Sequence, residues 1–230
     1  MNIRAVAPTT REAGAFHRLQ PTICGTGEAA GARIATLSPK PDVVVLGGVC
    51  GGLDPSLPAG GVILARQVVG PGDEMVEADR LLLDEVRAFL RQYGIPFVFS
   101  RLLTVPAPVL AKNEKRDLWN IHGAAGVDME TYHVARAAQA AGIRWVAVRA
   151  VIDPARTTLP ASLASWDGEA GQAALLRRVA RRPFEWPAYA RLALADRRAR
   201  AALKRAVPAV AVAIRRARTV ETLPLMEVTR

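Results

Sequence analysis

The run Asp42-Val43-Val44-Val45-Leu46, leading directly into Gly47-Gly48-Val49-Cys50-Gly51-Gly52, decides how this chain folds. An uninterrupted apolar, β-branched stretch bounded by glycine marks a strand covered on both faces, as in the interior of a parallel sheet. The glycines that follow predict a turn at the strand's carboxyl end, where backbone N–H groups approach a ligand closely. A tight turn without a ligand is the other reading of the same spacing. The group is not GxGxxG and lacks the Lys-Ser/Thr of a phosphate-binding loop, so neither a dinucleotide nor a nucleoside triphosphate is favoured.

Outward from this point, strands and helices alternate. Toward the N-terminus, Asn2–Ala7 suits a first strand. Thr9 or Thr10 caps a helix that begins near Arg11, and Thr22–Cys24 suits a short strand before an alanine-rich helix. Toward the C-terminus, strands are expected at Gly61–Val69, Pro96–Val105, up to Val127, and at Ile143–Ile152. Between them lie helices at Ala78–Tyr93, Leu110–Ile121 and Glu130–Ala141. The expected fold is α/β and three-layered: a mostly parallel, twisted mixed sheet flanked by helices. After Pro154 the pattern becomes helical, with Gly171–Arg182 and Pro187–Arg205 broken at Pro183, Pro187 and Pro208. Residues 1–155 thus read as an α/β core, and 156–230 as a basic helical extension of the same domain.

Composition narrows the function classes. The chain has 230 residues, 50% of them hydrophobic, which excludes an intrinsically disordered protein and suits one core better than two. No apolar run reaches the ~20 residues of a membrane span, and the first residues do not read as a secretory signal. Cys24 and Cys50 are too far apart for a CxxC motif, which disfavours a disulfide scaffold or a Cys/His zinc site and suits a reducing cytoplasm. The net charge of +10 is localised: residues 1–170 carry 17 basic and 17 acidic side chains, residues 171–230 carry 14 and 4. A neutral body disfavours a nucleic-acid-binding module. The basic end is open to three readings: a solvated helix face, a peripheral contact with the inner face of a membrane, or nucleic-acid binding, against which thin aromatic interleaving and the lack of a recognised motif speak.

Two further segments bear on chemistry. Val127-Asp128-Met129-Glu130 sits at a strand-to-helix junction, where a carboxylate either complements the helix N-terminus or accepts hydrogen bonds from a vicinal diol. Asp153 follows the apolar strand WVAVRAVI and precedes Pro154. A carboxyl at a buried strand end is partly desolvated, which raises its pKa and suits a general acid; a turn aspartate before proline is the alternative.

Taken in order, TTREA, TGE, GGVCGGL, VDMET and VRAVID resemble the nucleoside phosphorylase and nucleosidase superfamily over residues 1 to about 155. That superfamily includes methylthioadenosine/adenosylhomocysteine nucleosidases, futalosine hydrolases and purine nucleoside phosphorylases. The segment DPARTTLPASLASWD, followed by RRVARRP, is similar to the hopanoid-associated branch, which is assigned to removing adenine from adenosylhopane. The resemblance implies N-glycosidic cleavage, with Asp153 protonating the purine and Glu12 orienting or deprotonating water. It implies Glu130 and Met129 on the ribose, and Gly48, Val49, Cys50 and Gly51 as a substrate loop. It implies an apolar base pocket at Pro108 and Val109, with Ala107. No cofactor or metal is implied, and a homodimer is. Val49 stands where many relatives carry a phosphate-binding serine, and Glu12 would repel phosphate, so hydrolysis is favoured. Arg4, Arg11 and Arg33 keep phosphorolysis open. A methylthioadenosine-type nucleosidase, a futalosine hydrolase and a catalytically inactive nucleoside-binding protein are the alternatives. Cys50 reads as a packing residue, and His133 as a residue that could face the site.

Overall fold

The decisive stretch forms one long strand, β3 (Val43–Gly52). The expected glycine turn is therefore corrected: the glycines continue the strand, and their lack of side chains serves close packing. The computed structural model describes residues 1–163 and 182–221. β3 lies parallel to β1 (Ile3–Ala7) on one side and to β8 (Arg144–Asp153) on the other. The β3–β8 register shifts between Cys50 and Gly51, and beyond that point Gly51 and Gly52 pair antiparallel with β7 (Ala124–Asp128). A bulge bends and twists a strand locally. Here it lets one strand end in a different pairing from the one in which it began.

The remaining strands close the sheet. β7 runs parallel to β6 (Val98–Thr104), and β6 parallel to β4 (Val62–Val69). β4 pairs antiparallel with β8, which completes a ring of β3, β7, β6, β4 and β8. β2 (Thr22–Ile23) extends the sheet beyond β1, and β5 (Met75–Glu77), not foreseen from the sequence, pairs antiparallel with β4. The arrangement is mixed α/β with a closed sheet. Closure leaves the ring strands without free edges.

Alternation along the strands builds two cores. Val43, Val45, Val146 and Val148 face one side, where they meet α3 (Arg80–Gln92) and the long helix α6 (Trp186–Glu221). Val44, Leu46 and Ala147 face the other, where they meet α2 (Glu28–Ala35) and α5 (Thr131–Ala140). This two-residue period is the geometry of a strand buried on both faces. The start of α3 is set by Asp79, whose side chain accepts from the Leu82 N–H at 2.8 Å. Among the described residues the other two α-helices are α1 (Thr10–Ala13) and α4 (Lys112–His122).

The break expected at Pro208 does not occur; Pro208 lies inside α6. Leu203, Val207, Val210 and Ile214 are buried in the first core, one helical turn or two apart. Packing of such an apolar face supplies most of a helix's stability, and here it holds the helix through a poor residue. The same helix presents Arg197, Arg198, Lys204 and Arg205 outward. The helix expected over Gly171–Arg182 lies, apart from Arg182, outside the described residues. Among the described residues no helix is long and apolar enough to cross a membrane.

Candidate active site

The carboxyl ends of β3, β7 and β8, together with the segments after β1 and β6, surround a cavity of about 200 Å³. Glu12, Val49, Cys50, Gly51, Met129, Glu130 and Asp153 line it, and so do Ala107, Pro108 and Val109. Residues that are scattered over 140 positions of sequence thus share one cleft. Gly48 does not line it. A Cβ on Gly48 would lie 2.0 Å from Arg149 Nη1 and 2.8 Å from Glu12 Oε1, so this glycine makes room for a guanidinium and a carboxylate.

Glu12 is brought in by a short helix. Thr9 caps α1 and its Oγ1 accepts from the Glu12 N–H, the Ser/Thr-x-x-Glu spacing of a capping box. The Thr9 hydroxyl also donates to Glu12 Oε2 at 2.6 Å, and the Val49 N–H donates to Oε1 at 2.8 Å. Burial raises the Glu12 pKa, opposed by Arg149 and by these two hydrogen bonds.

Arg149 is the centre that sequence reasoning missed. It sits on β8, fully buried, among three carboxylates. Its Nε lies 2.9 Å from Asp128 Oδ2 and its Nη2 2.7 Å from Glu130 Oε1; both nitrogens also donate to Thr131 Oγ1. Nη1 is buried and has no hydrogen-bond partner among the described residues. Burial would lower the Arg149 pKa, but Asp128, Glu130 and Glu12 together more than reverse it. An arginine in the middle of an apolar strand looks from the sequence like an outward-facing residue. The signal available was arithmetic: three buried carboxylates need a cation.

Asp128 and Glu130 divide two tasks. Asp128 Oδ1 accepts from Thr104 Oγ1 at 2.8 Å and from the N–H groups of Glu130 and Thr131, fixing the start of α5. Its other oxygen takes the Thr131 hydroxyl. Glu130 keeps more capacity: among the described residues Oε2 accepts only from the Met129 N–H, at 3.2 Å. Burial pushes the Glu130 pKa up to about 8, with Arg149 opposing and Asp128 and Glu12 reinforcing.

Asp153 ends β8, on the far side of the cavity, and has a cation of its own. Lys115 on α4 is fully buried, and its Nζ lies 2.5 Å from Asp153 Oδ2. Burial still prevails and pushes the Asp153 pKa up to about 6. Lys115 was not foreseen, because α4 reads from its sequence as a polar surface helix.

The other candidate cations lie elsewhere. Arg11 pairs with Asp196 of α6 at 2.7 Å, and Arg33 is exposed on α2. Neither they nor Arg4 line the cavity. Cys50 lines it, but burial pushes its thiol well up, and Cys24 is pushed up to about 12, so neither is a ready thiolate. His133 does not line the cavity: its backbone carbonyl faces Gly31 of α2, and its ring meets Tyr132 edge-on. Among the described residues no His, Cys, Asp and Glu cluster has metal-holding geometry.

Comparison with known proteins puts this cleft in context. A family model described as the phosphorylase superfamily matches residues 10–181. A sequence comparison with curated proteins finds no match. Among solved structures, futalosine hydrolase of Helicobacter pylori superposes with a TM-score of 0.70 at 14% identity, over 91% of this chain and 97% of that one. The methylthioadenosine/adenosylhomocysteine nucleosidase of Campylobacter jejuni gives 0.62 at 16% identity, over 67% and 86%. The adenosylhomocysteine nucleosidase of Streptococcus pyogenes gives 0.61 at 18%, over 68% and 85%. At these identities the likeness is one of fold.

Proposed function

Since the chain belongs to the phosphorylase superfamily, we propose that it is a nucleosidase that cleaves the N-glycosidic bond of a purine nucleoside with water. The observation that carries this reading is the convergence of Glu12, Asp128, Glu130 and Asp153, all buried, on one cavity. Cleavage at C1′ develops positive charge on the ribosyl group and negative charge on the base. Carboxylates beneath the sugar stabilise the first, and a carboxylic acid at the base relieves the second.

In this mechanism Asp153, its pKa lifted toward neutrality, protonates the purine N7 as the C1′–N9 bond breaks. Glu130 Oε2 accepts from a ribose hydroxyl while Oε1 stays with Arg149, and Met129 packs against the sugar. Glu12 deprotonates the attacking water. Its raised pKa makes it the stronger base once ionised. The net reaction consumes one water and yields free base and ribosyl product.

Water is favoured over phosphate on charge. Three carboxylates share Arg149, Val49 offers no hydroxyl, and Lys115 is committed to Asp153. The same balance rejects a 5′-phosphate, so a nucleoside fits better than a nucleotide. Beyond the carboxylates the walls are apolar: Val105, Ala107, Pro108, Val109 and Ile152. An adenine nucleoside with a bulky apolar 5′ substituent suits them, and adenosylhopane is the specific substrate proposed. A homodimer at the inner face of a membrane belongs to this reading. Phe184 (76% exposed) and Trp186 (54%) stand near the start of α6, the helix that presents the arginines outward. Flotation with anionic liposomes at low salt tests that contact; a protein left in solution removes it.

The deciding measurement is chromatography of free base after incubation with a panel of adenine nucleosides, with and without inorganic phosphate. Base release without phosphate is expected. Strict phosphate dependence would overturn hydrolysis, and no release from any nucleoside would overturn the enzyme.

A further inference from the structure

Lys115 is a feature the reaction described above does not use. It comes from the first turn of α4, far from β8 in sequence, and is buried completely. Its ammonium has four oxygen acceptors: Asp153 Oδ2 at 2.5 Å, the Thr157 carbonyl at 3.1 Å, the Asp153 carbonyl at 3.3 Å and the Pro154 carbonyl at 3.4 Å. Burying an ammonium is strongly unfavourable unless it is fully paired. A latch between α4 and the segment after β8 could be made from apolar side chains without that cost. The three carbonyls hold the ammonium in place whatever the state of the carboxyl, so only its fourth contact responds to the proton on Asp153.

Resting on the nucleosidase reading, we propose that Lys115 is a positioning residue: it holds Asp153 by Oδ2, leaves Oδ1 to carry the transferable proton, and stabilises the carboxylate once the proton has gone to the purine. Atoms and electrons balance within the proposed reaction. The O–H bond of the Asp153 carboxyl breaks as the N7–H bond forms, the C1′–N9 pair moves into the base, and the residual carboxylate charge faces the Lys115 ammonium. Solvent returns a proton to Asp153 after the base leaves. The lysine thereby makes Asp153 a stronger acid than its burial alone allows. Burial raises the Asp153 pKa, and both the charge and the hydrogen bond of Lys115 lower it. Among the described residues the titratable groups that face Asp153 are Lys115 from α4 and the Cys50 thiol from β3. Cys50 is itself pushed well up, so it stays neutral while Asp153 titrates.

The test is the pH profile of base release by Lys115→Met and Lys115→Arg beside the unaltered enzyme. Protonated Asp153 is the active form, so activity falls as pH rises through its pKa. Removing an opposite charge at this distance is worth about 1–3 pKa units, and Lys115→Met is expected to move the alkaline limb upward by that much. Its kcat at the optimum, between the acidic limb set by Glu12 and this alkaline limb, falls at the same time because the acid is weaker, while KM changes little. Lys115→Arg is expected to return the limb toward its original position. Lys115→Gln, of similar length and neutral, replaces the methionine variant if that one does not fold. An active parent with an unmoved limb in a folded neutral variant would overturn the proposal and leave the nucleosidase reading intact. An inactive parent overturns the nucleosidase reading first and this proposal with it.

Discussion

The two ends of the cavity solve the same problem with different stoichiometry. At one end Arg149 serves Asp128, Glu130 and Glu12; at the other Lys115 serves Asp153 alone. Both cations are fully buried. A guanidinium is a planar fork that bonds two carboxylates and still has a nitrogen left over, whereas an ammonium is a point charge best enclosed. Where one cation serves several acids, burial and mutual repulsion lift Glu130 to about 8; where it serves one, Asp153 rises only to about 6. Both rises come first from burial; at Glu130 the charges of Asp128 and Glu12 add to it, and at Asp153 Lys115 opposes it. That difference makes Asp153 the group able to give a proton away and take it back near neutrality.

The sharpest way to break this contrast is at the Lys115 end. Asp153→Asn keeps an acceptor oxygen for Lys115 but no transferable proton, and is expected to lower base release about 10²–10⁴-fold. Steady-state kinetics with circular dichroism as a folding control checks it; a folded variant of full activity removes Asp153 as the acid. At the other end Arg149→Met strands three buried carboxylates, and loss of one side of a buried ionic network typically costs about 3–5 kcal/mol. Denaturant unfolding at pH 8 and at pH 5 should show the larger loss at pH 8, because protonation relieves the uncompensated charge at pH 5. Equal losses would mean that the cluster is already neutral around the arginine.

The smallest effect concerns the whole cleft. Glu12, Glu130 and Asp153 all have native pKa values above those of the unfolded chain, so the native state binds more protons. By linkage, stability falls as pH rises, from the unfolded carboxyl values near 4 through about 6 for Asp153 and about 8 for Glu130. Melting temperature measured from pH 5 to pH 9 should decline, and Glu130→Gln should flatten the upper part of that decline. A melting temperature that rises over this interval contradicts the sign.

Much of this cleft was legible before the coordinates. Asp153 and Glu130 stand at strand ends, and Glu12 stands three residues after a capping threonine. Each position has a local rule behind it. The cations lacked one. Arg149 lies among Val148 and Ala150 on a strand whose neighbours are all apolar, and Lys115 lies among Asn113, Glu114 and Arg116 on a polar helix. Neither context distinguishes a buried, paired charge from a solvated one. Gly47–Gly52 failed in a related way, since local preference for a turn yielded to pairing with β8 and then β7. Pro208 was overruled by the apolar face of α6.

The sequence by itself determined the alternation of strands and helices, the acids and the localisation of positive charge at the C-terminal end. These follow from periodicity, capping and composition, all of which act over a few neighbouring residues. Only the tertiary structure decided that the sheet closes, that Gly48 yields its space to Arg149, and that Lys115 reaches Asp153. Those outcomes rest on contacts between residues far apart in the chain, such as Arg101 with Ala124 (23 positions) and Gly48 with Arg149 (101 positions), and a buried charge has no meaning until the fold has chosen its partner.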